Sequence, residues 1–311
     1  MKITTIVRHI AESVHKKGCT ITNWNTKCVE HKQQDGNYGM AQKYRSTCLK
    51  LTEYMSAVSK TNLKMEEVDY EFVEGFAEYM KGEGLKENTI RFYLRNFSAM
   101  YHQCNRDYTD NPFKHVNMRS CPTRKRAFDK QAMQRIRQFD AQGKESLEFS
   151  RDLFLFSFYT QGMSFVDVAY LRKSDIKGNT IMYKRRKTGQ PITITLLPEV
   201  KEIIHRHRCK GIYVFPIIKS EKRSEAYRQY RNGLATQNRR LKKIGLKLGL
   251  EEPLTTYIAR HTWATLAQNS GVPTSVISRS LGHTSETTTR IYLGSMDTKI
   301  LAKYNRITTR L

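Results

Sequence analysis

The sequence predicts a mainly α-helical protein with one small antiparallel β-sheet, an α+β chain in two domains. Three observations carry this. Apolar residues recur at three- and four-residue spacing through most of the chain, the mark of amphipathic helices. Over 179–196 alone, the period shortens around a glycine-containing turn, as in a hairpin. Finally, 311 residues are enough for two ordinary cores.

Taken in order, residues 1–40 form a polar N-terminal segment with weak periodicity. A helical domain spans 41–105. Its first helix, 41–59, carries Tyr44, Cys48, Leu51, Met55 and Val58 on one stripe. Its second, 69–82, carries Phe72, Phe76 and Tyr79, with Asp69 placed to cap it. The third, 88–104, carries Ile90, Leu94, Phe97, Tyr101 and Cys104, and turns Arg91 and Arg95 the other way. Those two arginines are either a solvated face or phosphate contacts. Residues 106–126 read as a basic linker, broken by Asn111-Pro112-Phe113 and Pro122. The second domain, 127–311, opens with a helix capped by Asp129, then an apolar helix over 148–161. Two strands, 179–184 and 191–196, flank the turn Arg185-Arg186-Lys187-Thr188-Gly189-Gln190, with glycine supplying the turn conformation. Helices return at 198–208, 224–248 and 257–304, the last broken at Gly271, Pro273 and Gly282.

Charge narrows the function. The formal net charge is +25, which points to a polyanionic partner, nucleic acid above all. No apolar run reaches the ~18–20 residues of a membrane span, and the N-terminus lacks a signal-peptide core. The six cysteines are scattered without a CxxC pair, so they read as reduced thiols in a cytoplasmic protein, and a nucleic-acid partner would make it nucleoid-associated. The sharpest metal candidate, His205-Arg206-His207-Arg208-Cys209, lacks zinc-ligand spacing, and no metal or other cofactor is expected.

Three polar groups crowd the last sixty residues: Thr256 to Ala264, Leu281-Gly282-His283, and Thr287 to Tyr292. Brought together with Lys187, they would assemble a guanidinium, an imidazole, an ammonium and a phenol, with no carboxylate pair for magnesium. Such a pocket suits a phosphate whose charge grows during reaction. Arg260 can grip two nonbridging oxygens. His283 can add a hydrogen bond, Lys187 can protonate a leaving oxygen, and Tyr292 can attack.

In order and spacing, these residues resemble the tyrosine recombinase (phage integrase) family. TTYIARHTWATLAQNSGVPTSVISRSLGHTSETTTRIY is similar to that family's second box nearly throughout. YTQGMSFVDVAYLRKSDI resembles its first box, KRRKTGQPI its lysine-bearing β-turn, 41–104 its core-binding domain and NPF its linker. The likeness covers roughly 20–305. It implies that Arg260 holds the scissile phosphate, that His283 is the later His or Trp of the site, that Lys187 is the general acid and that Tyr292 is the nucleophile of a 3′-phosphotyrosine. His261 follows the arginine as in the family pattern, and Asp167 matches an acidic residue that orders the site.

Two positions depart from the pattern. The first family arginine falls on Ser164, and the first histidine of the second box falls on Tyr257. Both departures resemble a branch carried on mobile and invertible elements of anaerobic gut bacteria. Arg185 and Arg186 are candidates to fill the missing guanidinium. The resemblance implies a site-specific recombinase that closes on double-stranded DNA as a two-domain clamp and works as a homotetramer on two sites, by integration, excision or inversion. The short N-terminal segment leans toward a simple invertase or resolvase. The last nineteen residues, with Ile300, Leu301 and Tyr304 at helical spacing, pack on their own domain or dock on a neighbour. Type IB topoisomerase activity, and DNA binding with weak or no cleavage, are the alternatives.

Overall fold

The computed structural model describes residues 18–104, 111–121 and 126–293, with Ile291 and Tyr292 described by main chain only. The tail residues Ile300, Leu301 and Tyr304, and parts of the linker, lie outside the described residues. The chain divides into two compact units, Met1–Thr123 and Arg124–Leu311.

The N-terminal unit contains four described α-helices: α1 (Ile21–Gln34), α2 (Tyr38–Ala57), α3 (Tyr70–Gly82) and α4 (Glu87–Cys104). Side chains cap three of them. Thr20 accepts from Asn23 N, Asn37 from Met40 N, and Asp69 from Phe72 N at 2.7 Å, satisfying main-chain donors that a helix start leaves open. The core is aromatic: Phe76 and Phe97, both fully buried, meet edge to face with centroids 6.2 Å apart. Helix α1 lies within the polar, weakly periodic residues 1–40. It is held by tertiary contacts: Trp24 is buried and donates its indole N–H to Met100 O at 2.8 Å.

The polar face of α4 holds an extended segment. Asn88 donates to Cys121 O and accepts from Cys121 N, at 3.0 and 2.8 Å. Arg91 donates to Arg119 O, and Arg95 to Met118 O at 2.6 Å. Arg91 also pairs with Glu87.

The C-terminal unit runs α5 (Lys130–Arg137), α6 (Glu145–Tyr159), α7 (Phe165–Tyr170), β1 (Ile176–Lys177), β2 (Thr180–Lys184), β3 (Pro191–Thr195), α8 (Pro198–Arg206), α9 (Arg223–Lys247), α10 (Thr256–Asn269), α11 (Thr274–Leu281) and α12 (Glu286–Leu293). Asp129 caps α5 through Ala132 N at 2.7 Å. Helix α6 is the core helix. Leu153, Phe154, Leu155 and Phe156 are all buried, the behaviour of a helix apolar on every side. The sheet is antiparallel in the order β1-β2-β3, with Ile181 opposite Ile194 and Tyr183 opposite Ile192. The short β1 and α7 are additions that sequence patterning did not register. A small satellite core joins Ala264, Ile277, Leu281 and Leu293, with Trp263 packed on it.

His207, part of the His-Cys run, bonds the buried carboxylate of Asp152 at 2.8 Å, beside Arg206 at 2.7 Å. Among the described residues no group of His, Cys, Asp or Glu side chains is arranged to hold a metal, and no helix is long and apolar enough to cross a membrane.

Candidate active site

The site forms where the β2–β3 hairpin, the start of α10 and the α11–α12 corner meet. Arg260, one turn into α10, is 3% exposed. Its guanidinium donates to Gly162 O at 2.8 Å and to Leu281 O at 2.5 Å, so the loop before α7 and the end of α11 aim it. Gly162 has φ +72°, and a Cβ there would lie 2.9 Å from Arg260 Cα. Only glycine allows both the left-handed backbone and this approach.

His283 follows Gly282, which ends α11 in the left-handed conformation, φ +61°. A Cβ on Gly282 would lie 2.8 Å from Ile192 Cδ1 and 3.0 Å from Arg185 Cδ, so this glycine lets the hairpin seat against the corner. His283 Nε2 lies 3.3 Å from Arg260 Nη2, and Nδ1 lies 2.8 Å from the hydroxyl of fully buried Thr289. Burial, reinforced by the positive charges of Arg260, Arg185 and Lys187, pulls the imidazole pKa down from 6.5 to about 4. His283 is therefore neutral at pH 7, with one N–H. The Thr289 hydroxyl can donate or accept at Nδ1, so the tautomer can switch to place the N–H on Nε2 when an anion arrives.

The hairpin brings the remaining cations. Arg185 N donates to Gln190 O at 2.8 Å, and Gly189 N to Arg185 O at 2.7 Å, closing the turn. Arg185 is 7% exposed and its Nη1 donates to Gly282 O at 2.8 Å, where the Thr188 hydroxyl donates too. Its Nε is buried and has no hydrogen-bond partner among the described residues. A buried guanidinium donor left open beside two other cations is costly unless an anion fills the gap. Lys187 is exposed at the turn, and its charge reaches His283.

The supporting residues hold this frame. Ser164 Oγ donates to Asp167 Oδ2 at 2.5 Å, and Asp167 Oδ1 accepts from Arg186 N at 2.9 Å. The Arg186 guanidinium lies 3.7 Å over the Tyr170 ring. His261 is buried and Tyr257 is 58% exposed, their rings edge to face at 4.5 Å. Tyr292 sits on α12, two residues beyond Arg290 and three beyond Thr289. Arg91 and Arg95 belong to the other unit, on the carbonyls described above.

The structure thus brings together Arg260, His283, Lys187 and Arg185, and ties Ser164, Asp167 and Arg186 to the same hairpin. Two further side chains adjoin the site that the sequence pattern does not single out: Thr289 behind the imidazole, and Tyr183, whose phenol burial pushes well above its usual pKa beside Asp167, Arg260 and Arg185. Alternation along β2 gives a signal for the hairpin. Ile181 and Arg185 are buried while Met182, Lys184 and Arg186 are exposed, the period of two that separates the paired arginines.

Comparison with known proteins bears on this constellation. Residues 126–299 match the model of the phage integrase family, and residues 20–118 match a phage integrase SAM-like domain. The chain belongs to the phage integrase family. One curated tyrosine recombinase, XerA of Saccharolobus solfataricus, is 28% identical over 118 residues, 38% of this chain. The match spans 36% of that relative's length. Among solved structures, a Tn1549 transposon integrase in complex with transposon right end DNA aligns with TM-score 0.64 and 16% identity over 93% of this chain and 100% of that one. XerH site-specific recombinase bound to its difH substrate aligns with TM-score 0.61 and 16% identity over 96% and 99%. At these identities the two structures speak for the shared fold.

Proposed function

We propose that this integrase-family chain is a site-specific DNA recombinase that cuts and rejoins duplex DNA through a 3′-phosphotyrosine. The observation that carries this is the grouping of two buried guanidiniums, Arg260 and Arg185, and the half-buried imidazole of His283 around one corner, with a buried guanidinium N–H left open among the described residues. DNA-bound relatives of the same fold and the +25 charge support double-stranded DNA as the partner.

In the reaction, a phosphodiester enters between Arg260 and Arg185. Arg260 exchanges its contact with His283 for nonbridging oxygens, and Arg185 supplies the second guanidinium in place of Ser164. His283 turns its N–H toward the phosphate. Tyr292 Oη attacks phosphorus, the bond to the 5′ oxygen breaks, and Lys187 gives that oxygen its proton. Fixed cations stabilise the growing charge in a water-poor site, where they act strongly. The phosphotyrosine conserves the bond energy, and a 5′-hydroxyl of the partner strand reverses the step. Arg91 and Arg95 keep N–H groups beyond those on carbonyls and contact phosphates with them, since a guanidinium has five donors. Recombination of two sites requires four protomers, so the working assembly is a homotetramer on DNA.

Covalent capture tests this. Protein is mixed with sheared DNA from its own genome and denatured in SDS, and the attached DNA is sequenced, with Tyr292→Phe alongside and a native pull-down of both. Adducts in the wild type only, at a defined site, are expected. Equal native binding with no wild-type adduct on intact or nicked DNA would assign the chain to DNA binding without cleavage, the outcome Ser164 would favour. Relaxation of plasmids without site preference or recombinant product would assign it to topoisomerase activity.

A further inference from the structure

We infer that Ser164, standing where the family has an arginine, is a positioning residue for the proton donor. It locks Asp167 onto the hairpin and so fixes the turn that carries Lys187. The inference rests on the assignment of Lys187 as the general acid.

Ser164 is the N-cap of α7, with φ −69° and ψ 148°. An N-cap serine normally accepts from a main-chain N–H one turn on. This one makes no such bond. Its hydroxyl donates instead to the side chain at that turn, Asp167 Oδ2, at 2.5 Å. Asp167 is 3% exposed, so each carboxylate oxygen needs a donor. Ser164 satisfies one oxygen, and the main-chain N–H of Arg186, nineteen residues on, satisfies the other at 2.9 Å. One turn later on α7, Tyr170 takes the Arg186 guanidinium on its ring at 3.7 Å. The two ends of the turn are tied to Gly282 O, through Arg185 before Lys187 and Thr188 after it. Lys187 is therefore an exposed residue held between tethered neighbours. Without the Ser164 hydroxyl, Asp167 Oδ2 is a buried acceptor with its donor gone. The carboxylate then reorients, and the main-chain tether next to Lys187 loosens.

The consequence is confined to one step, proton transfer from Lys187 Nζ to the leaving 5′ oxygen as the P–O5′ bond breaks. A substrate with sulfur at that bridging position departs as a thiolate, a far better leaving group than an alkoxide because thiols ionise near pH 8.5, so bond breaking needs no general acid. The experiment uses the full chain and a nicked duplex bearing the captured site, with either oxygen or sulfur at the scissile 5′ position. Single-turnover cleavage is measured for the wild type, Ser164→Ala, Ser164→Thr, Asp167→Asn and Lys187→Ala. Ser164→Ala is expected to slow cleavage of the oxygen substrate by about ten- to a hundredfold, toward the effect of losing a general acid. On the sulfur substrate it should stay within about threefold of wild type, and Ser164→Thr, which keeps the hydroxyl, should stay close to wild type on both. Equal losses on both substrates, or no loss on either, would overturn the inference. Asp167→Asn gives the same test should Ser164→Ala fail to fold, as judged by thermal unfolding. Lys187→Ala separates the two levels. If sulfur does not rescue it, the assignment of Lys187 fails; if sulfur rescues Lys187→Ala but not Ser164→Ala, the positioning role of Ser164 fails.

Discussion

Arginines in both units donate to main-chain carbonyls, but in different settings. Arg91 and Arg95 lie along a helix face, one paired with Glu87, and hold residues 118–121 extended. Arg260 and Arg185 are 3% and 7% exposed, sit within electrostatic reach of a neutral histidine, and include a buried donor with nothing to bind. The first pair makes structure that would persist without a ligand. The second gathers buried cationic charge beside an open donor, an arrangement that a bound anion would relieve. The same residue type, with the same kind of acceptor, is thus set in two different environments by burial.

Loss of Arg260 should give the largest effect. Arg260→Ala is expected to lower the rate of covalent adduct formation by about a thousandfold, the loss of roughly 4 kcal/mol of transition-state stabilisation, while native DNA binding persists. Single-turnover capture measures it. A loss of binding equal to the loss of rate would erase the distinction between the two pairs.

Gly162→Ala comes next. It places a Cβ against Arg260 Cα on a left-handed backbone, and should cost about 1–3 kcal/mol in unfolding free energy and displace Arg260 as well. Denaturant unfolding together with cleavage separates the two consequences.

His283 sharpens the contrast through pH. Its folded pKa, about 4, lies below the ordinary 6.5, so folding favours the neutral ring. The stability this contributes is full above pH 6.5 and is lost as pH falls from there toward 4. Thermal unfolding of the wild type should therefore drop more steeply between pH 7 and 5 than that of His283→Gln.

The smallest effect belongs to the other unit. Arg95→Gln should leave cleavage at saturating DNA unchanged and reduce the log–log salt slope of binding by about 0.9, one phosphate contact. An unchanged slope would make Arg95 purely a tie for residues 118–120.

Legibility in the sequence follows how local each cause is. The caps Asp69 and Asp129, the hairpin and the breaks at Gly271 and Gly282 depend on neighbours within a few residues, and the chain displays them. Helix α1 depends on Trp24 reaching Met100, seventy-six residues away, and its few apolar positions leave no clear stripe. Arg260, His283 and Lys187 were legible through spacing and family resemblance. Their grouping with Arg185 was not, because adjacent arginines look alike until strand alternation is laid on the fold. Ser164 reads in the sequence only as a missing arginine, because its bond to Asp167 depends on the turn that opens α7.

The chain has two tryptophans, one in each unit. Trp24 is buried in the N-terminal core and bonded through its indole, whereas Trp263 packs beside Leu281 and Leu293, under the helix that carries Tyr292. Fluorescence can therefore watch the halves of the molecule separately. In a Trp24→Phe protein the remaining emission reports how α12 is seated, and in a Trp263→Phe protein it reports the helical bundle, giving two optical channels from native residues without an added dye.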